Sequence, residues 1–208
     1  MYDKYYNYLI EENKKYNLTS ITNKDEVFIK HFYDSKVLIN YLDLKNKSIL
    51  DIGSGAGFPG VVLKIEEPSI NLSLIDSVSK KTIFLNNLKN ELNLEYNVIN
   101  DRIENLDKNN KFDIIVSRAV ARLNILLELA IPYVKVNGYF VAYKGNNALK
   151  EVEEIKNGLV KLNSKIEKIV DFDLPNNYGK RYLIIIKKMK ETNDIYPRIY
   201  SKIKKNPL

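Results

Sequence analysis

Asp51-Ile-Gly-Ser-Gly-Ala-Gly-Phe-Pro-Gly60 follows the apolar triplet Ser48-Ile49-Leu50 and leads into Val61-Val62-Leu63. Glycines at 53, 55 and 57 remove the β-carbons that would hold a ligand off the backbone, and they allow positive φ. Pro59 suits the first turn of a following helix, where its missing N–H costs nothing. The segment therefore predicts a short buried strand, a glycine-packed turn and a helix. Such a unit binds a nucleotide-like ligand at the helix N-terminus.

The rest of the chain alternates in the same sense. Strands are expected at 48–52, 72–76, 96–100, 112–117 and 138–143, with helices at 59–66, 79–93, 122–134 and 147–162. Two further strands, at 166–172 and 181–188, read as an antiparallel pair. This order predicts an α/β, Rossmann-like fold, with a mostly parallel seven-stranded sheet covered by helices on both faces. Ahead of it, an amphipathic helix over 2–16 and a longer one opened by Thr22-Asn-Lys-Asp25 as a capping box, running to Leu42, would form an N-terminal helical cap. The expected division is a cap over 1–45, a catalytic domain over 46–189 and a basic tail over 190–208. Pro197 and Pro207 predict that the last twenty residues run extended.

Composition excludes several chemistries. The 208 residues hold no cysteine and one histidine, His31, so disulfides, a thiol nucleophile and any usual zinc site are not expected. No stretch approaches the ~18 apolar residues of a membrane span, and the polar, aromatic N-terminus does not read as a signal peptide, so a soluble cytoplasmic protein is expected. Residues 180–208 carry nine Lys/Arg against two acids and hold the whole net charge of +7. That run reads either as an attractor of phosphate backbones or as a solubilising tail.

The glycine spacing here is G-x-G-x-G, not the G-x-G-x-x-G of dinucleotide loops. Asp51, two positions before the first glycine, would repel a pyrophosphate but welcome the cationic groups of S-adenosylmethionine. Asp76 ends the second strand about twenty residues on, where a carboxylate accepts from ribose hydroxyls; its other reading is a helix N-cap before Lys80 and Lys81. Ile103 and Glu104 follow the third strand and suit the face and edge of an adenine. Arg118 ends the fourth, placed either in the crevice or in a structural ion pair.

With these residues in view, the chain resembles the bacterial 16S ribosomal RNA guanine-N7 methyltransferases, once called glucose-inhibited division protein B. The likeness rests on Asn13-Lys-Lys-Tyr-Asn-Leu-Thr19, His31-Phe-Tyr-Asp-Ser35, Asp51 through Gly60, Phe112 through Ala119, and the tail Tyr196-Pro-Arg198 with Asn206-Pro-Leu208. Glu12 stands where the family has Trp, and the N-terminal helical region is shorter than usual. The resemblance implies S-adenosylmethionine as cofactor and the small ribosomal subunit as partner; a monomer without metal is expected. It maps cofactor contacts onto Gly53, Phe58, Ile103, Glu104 and Arg118. It also implies methyl transfer to a guanine N7, which needs neither general base nor general acid, so no catalytic side chain is assigned. His31, Asp34 and Ser35, which keep the family's pattern, either serve its function or hydrogen-bond the cap onto the catalytic domain, the second being the preferred reading; Lys80 and Lys81 read equally as RNA contacts or as solvated lysines. Arg198, Lys202, Lys204 and Lys205 are the better candidates for RNA contact, with Tyr196 and Tyr200 either stacking on bases or packing the tail over the sheet. The rival readings are a methyltransferase of the same fold acting on a small molecule or protein, a regulator that binds the methyl donor without turnover, and an NAD-dependent oxidoreductase.

Overall fold

The structure, a computed structural model, describes all residues from Met1 to Leu208. Seven strands form one sheet in the order β3-β2-β1-β4-β5-β7-β6. They are β1 Ser48–Ile52, β2 Asn71–Ile75, β3 Asn97–Ile99, β4 Phe112–Arg118, β5 Val134–Lys144, β6 Ser164–Asp173 and β7 Lys180–Lys188. The pairs among β1 to β5 are parallel, and β7 runs antiparallel to both its neighbours. Strand order reverses at β1, between β2 and β4, and in such sheets ligands sit beyond the carboxyl ends at this switch.

The inner strands are continuous apolar runs because both of their faces are covered. Alternate residues feed two cores. Ile49, Leu72, Leu74, Val116 and Val141 pack on one face, with the N-terminal helix α1 (Tyr2–Tyr16), α4 (Gly60–Glu66) and α5 (Ser79–Leu92). Leu50, Ile75, Ile115, Phe140 and Ile184 pack on the other, with α6 (Leu123–Ala130), α7 (Ala148–Glu154), α8 (Lys156–Lys161) and α9 (Tyr200–Lys205). The N-terminal helices thus share a core with the sheet: Tyr5 and Leu9 of α1 are fully buried in it.

The expected long second helix is a helical run of changing pitch. It passes from α2 (Lys24–Val27) through a π turn, Phe28–Tyr33, into α3 (Asp34–Lys36) and a 3-10 turn, Val37–Asn40. Its N-cap is Asn23, whose side chain accepts from the Glu26 N–H, one residue beyond the expected Thr22. Phe32 and Leu38 still reach the core.

The last segment is not the extended appendage that its prolines suggested. Pro197 and Pro207 flank α9 and leave Tyr200–Lys205 free to turn. Ile203 of this helix is fully buried, and Tyr196, Tyr200 and Leu208 pack on the same core. The anchor is Arg198. Its backbone N–H, Nε and Nη2 all donate to the carboxylate of Glu128 on α6, at 3.0, 2.7 and 2.5 Å. Ion pairs exposed on both sides, such as Lys24–Asp3 and Lys156–Glu153, contribute about 0–1 kcal/mol each, but Glu128 is fully buried. Removing its partner strands a charge in the interior. Arg198→Ala is therefore expected to cost about 3–5 kcal/mol in urea unfolding. Adding Glu128→Leu should recover much of that loss, since the orphaned charge goes too.

Candidate functional site

Two cavities meet at the carboxyl ends of β1, β2 and β4. The larger, about 570 Å³, is lined by Gly53, Phe58, Arg118 and Tyr143 together with Thr19, His31 and Asp34 from the N-terminal region. The smaller, about 360 Å³, is lined by Gly53, Asp76, Ile103, Glu104, Leu129 and Tyr200. Gly53, Lys81 and Ala119 border both. All six residues singled out as cofactor contacts thus line this joined space, Gly53 at the junction.

The glycine loop is tied down from below and from the side. The Gly53 N–H donates to the Ile75 carbonyl at 2.8 Å, and the Gly55 N–H to Asp76 Oδ2 at 3.0 Å. Tyr5 of α1 donates its hydroxyl to the Ala56 carbonyl at 2.5 Å. Gly53 has φ +68°, and a β-carbon there would come within 2.4 Å of Val120 Cγ2.

Asp76 satisfies parts of both its readings. Oδ1 accepts from the Val78 N–H at the start of α5 (2.9 Å), Oδ2 accepts from the loop, and Lys81 Nζ stands 3.6 Å away. Each oxygen accepts one hydrogen bond and so keeps acceptor capacity, since a carboxylate has about four acceptor sites, and Asp76 lines the smaller cavity. Ile103 and Glu104 follow β3 in a 3-10 turn, and Glu104 sits 3.7 Å from Arg102.

Asp51 differs from expectation. It is fully buried and lines neither cavity, so it does not face a cationic ligand. Oδ2 accepts from the Gly60 N–H at 2.9 Å, closing the loop from strand end to helix start, and Oδ1 has no partner. Burial pushes this carboxyl up to about 7.

Arg118 also does double work. It borders the cavity, and it pairs with the buried Asp34 Oδ2 at 3.0 Å while donating to the Lys30 and His31 carbonyls on the π turn. Its guanidinium lies over the Phe58 ring, 5.1 Å from the centre. Phe58 stacks on His31 at 4.6 Å and on Tyr5 at 5.4 Å, so it reaches the cavity from within an aromatic column.

His31 Nε2 pairs with Thr19 Oγ1 at 2.9 Å, and Nδ1 lies near Arg118 Nη2. Burial, then Arg118, hold its pKa down to about 3, so the ring is neutral and unfit for proton transfer at pH 7. Its contacts with Phe58 and Arg118 join the N-terminal cap to the body of the fold.

Tyr143, Arg181 and Ala119 were missed from sequence, while Tyr200, read there as stacking on bases or packing the tail over the sheet, packs on the core and lines the smaller cavity. Tyr143 is the penultimate residue of β5 and obeys the same carboxyl-end rule that found Arg118; its hydroxyl donates to the Ser35 carbonyl at 2.7 Å. Arg181 reaches this edge because β7 is reversed, which brings its first residues to where the other strands finish. Ala119 holds φ +58°, a conformation no sequence signal announces. The cavity's cations are Lys30, Lys81, Arg118, Lys144 and Arg181, so the charge expected of the C-terminal tail is supplied here largely by the body of the chain.

A switch-point cavity under a glycine loop, with an acidic residue just after β2 and a reversed seventh strand, defines a class I methyltransferase, the kind that takes its methyl group from S-adenosylmethionine. Solved structures share the fold: a methyltransferase from Pyrococcus furiosus superposes with TM-score 0.61 at 17% identity, over 74% of this chain and 80% of that one. The ribosomal protein L11 methylase of Lactobacillus delbrueckii subsp. bulgaricus gives 0.60 at 16%, over 77% and 79%. The particular family comes from sequence: the pattern of the rRNA small subunit methyltransferase G family (GidB) matches residues 1–178, and the chain belongs to that family. It is 47% identical to the ribosomal RNA small subunit methyltransferase G of Mycoplasma capricolum, over 97% of this chain and 87% of the relative. The enzyme of that name from Lachnoclostridium phytofermentans is 46% identical, over 100% and 88%.

Two buried groups here titrate with opposite sign. Asp51 keeps its proton to about 7, against 3.8 for an ordinary Asp, so folding loses stability as pH rises through that window. His31 stays neutral down to about 3 against an ordinary 6.5, so folding loses stability as pH falls from 6.5. Where the windows overlap, the two slopes oppose. Thermal denaturation from pH 4 to pH 6.5 should therefore show Asp51→Asn gaining stability with rising pH and His31→Gln losing it, each more steeply than the parent.

Proposed function

We infer that the chain transfers a methyl group from S-adenosylmethionine to N7 of a guanine in 16S ribosomal RNA, acting in the cytoplasm on the small ribosomal subunit. The observation that carries this is the whole-length likeness to small subunit methyltransferases G, joined to a cavity with five cations on its rim beside the glycine loop. We assign the donor site to Gly53, Phe58, Asp76, Ile103, Glu104 and Arg118. Residues 1–45 act as a cap and 46–189 as the catalytic body.

The residues suit that donor. A β-carbon at Gly55 would meet only the Gly53 carbonyl at 3.8 Å, so the loop backbone borders the larger cavity bare of side chains there; Asp76 has acceptor capacity for a ribose diol, and Ile103 and Glu104 offer an apolar face beside an acceptor. Bound there, S-adenosylmethionine supplies an electrophilic methyl carbon on a sulfonium.

Guanine N7 has a free in-plane lone pair and loses no proton on methylation, so no side chain is needed as a base. That agrees with a His31 whose two nitrogens are engaged. What the chain supplies is placement and exclusion of water. Holding nucleophile and electrophile in line is worth about 7–11 kcal/mol. Lys30, Lys81, Lys144 and Arg181 line the larger cavity, where they attract RNA phosphates in a salt-dependent way.

Labelled S-adenosylmethionine, incubated with the protein and small subunits from a strain lacking this methylation, should label 16S RNA at a guanine. Borohydride–aniline cleavage at that base places the methyl on N7. Label on protein or on a small molecule, or none at all, refutes the reading. Gly53→Val, which drives side-chain carbons into Val120, should abolish binding of S-adenosylhomocysteine in calorimetry while the far-ultraviolet circular dichroism stays native.

A further inference from the structure

We propose that the C-terminal segment completes the donor site, with Tyr200 as the aromatic wall against which the purine of S-adenosylmethionine packs. The proposal rests on the assignment of Asp76, Ile103 and Glu104 to the nucleoside, and it adds a residue beyond the stretch, 1–178, that the family pattern matches.

Tyr200 is the only aromatic side chain lining the smaller cavity, the one that also holds Asp76, Ile103 and Glu104. It comes from α9, which packs against α6. Its position is secured on three sides. Arg198, two residues earlier, is clamped to the buried Glu128 by three hydrogen bonds and also donates to the Asn206 carbonyl, drawing the end of the segment together. Ile203, three residues later, is fully buried. The Arg102 guanidinium lies over the Tyr200 ring, 5.4 Å from its centre, and also borders the cavity.

A half-buried ring fixed this firmly at the mouth of a polar and aliphatic cavity matches what a purine requires. An aromatic face gives stacking, and Ile103 gives a second apolar contact. Lys202, Lys204 and Lys205 on the same helix are exposed. The one short helix thus presents its ring to the cavity and its charges to solvent. Arg198, expected to meet RNA, is instead spent on Glu128, so the segment's anchoring serves the donor side of the site.

The test is calorimetric titration of the full-length protein with S-adenosylhomocysteine and with S-ribosylhomocysteine, which lacks the purine. Tyr200→Ala should weaken S-adenosylhomocysteine by about tenfold, as loss of an aromatic stacking partner does, and Tyr200→Phe should restore it. S-ribosylhomocysteine should bind Tyr200→Ala and the parent alike, and affinity for small subunits should not change. Undiminished S-adenosylhomocysteine binding by Tyr200→Ala overturns the proposal, as does an equal loss for both ligands or a loss confined to subunit binding. Asp76→Asn separates the two levels. If it weakens S-adenosylhomocysteine while Tyr200→Ala does not, only the role of Tyr200 falls; if neither does, the nucleoside assignment falls as well.

Discussion

The hydrogen bond from the Gly60 N–H to Asp51 Oδ2 holds the site's geometry in place. It joins the end of the central strand to the start of a helix nine residues on. The intervening glycines are thereby forced into a compact turn, where a longer excursion would fill the cavity. The bond is costly, because an unpaired carboxylate in an apolar interior loses its hydration. Burial settles much of that conflict by raising the carboxyl to about 7, which leaves it partly protonated near neutrality. Gly60 must lack a side chain for the same reason: a β-carbon would come within 2.8 Å of Asp51 Oδ2 and 2.7 Å of Leu74.

A second junction decides what the turn faces. The Arg118–Asp34 pair ties the end of β4 to the helical run before the sheet, and Arg118 reaches two carbonyls on the π turn there. Neither charge is more than slightly exposed, so the pair is a constraint on geometry more than a gain in stability. It sets the aromatic column of Phe58, His31 and Tyr5 against the larger cavity. The floor of the site therefore comes from the sheet and one of its walls from residues far upstream.

Much of this is legible in the chain. Short apolar runs and the period-3.6 patterns between them yield every strand and the order of elements, because both sheet faces are buried. The residues at the strand ends follow from the same rule. What escapes is tertiary. The reversed direction of β7 carries Arg181 to the site, and Ala119 adopts its left-handed φ without a glycine to mark it. Asp51 was misjudged because its place beside the glycines says nothing about which side of the strand its carboxylate occupies. The final helix was missed because two prolines were weighed as breakers of a segment that they bracket. The apolar spacing of Tyr196, Tyr200 and Ile203, four and then three residues apart, was the signal available there.

The hydroxyl of Tyr5 rests on the Ala56 carbonyl, and its ring stacks on Phe58. Half a hundred residues of chain separate the two, so the glycine turn and the first helix form one cooperative unit. The contacts couple opening of the turn's amides to lifting of the helix from the sheet, a larger and rarer event than a local flicker. The turn therefore meets its ligand already in shape, and little ordering entropy is left for binding to overcome.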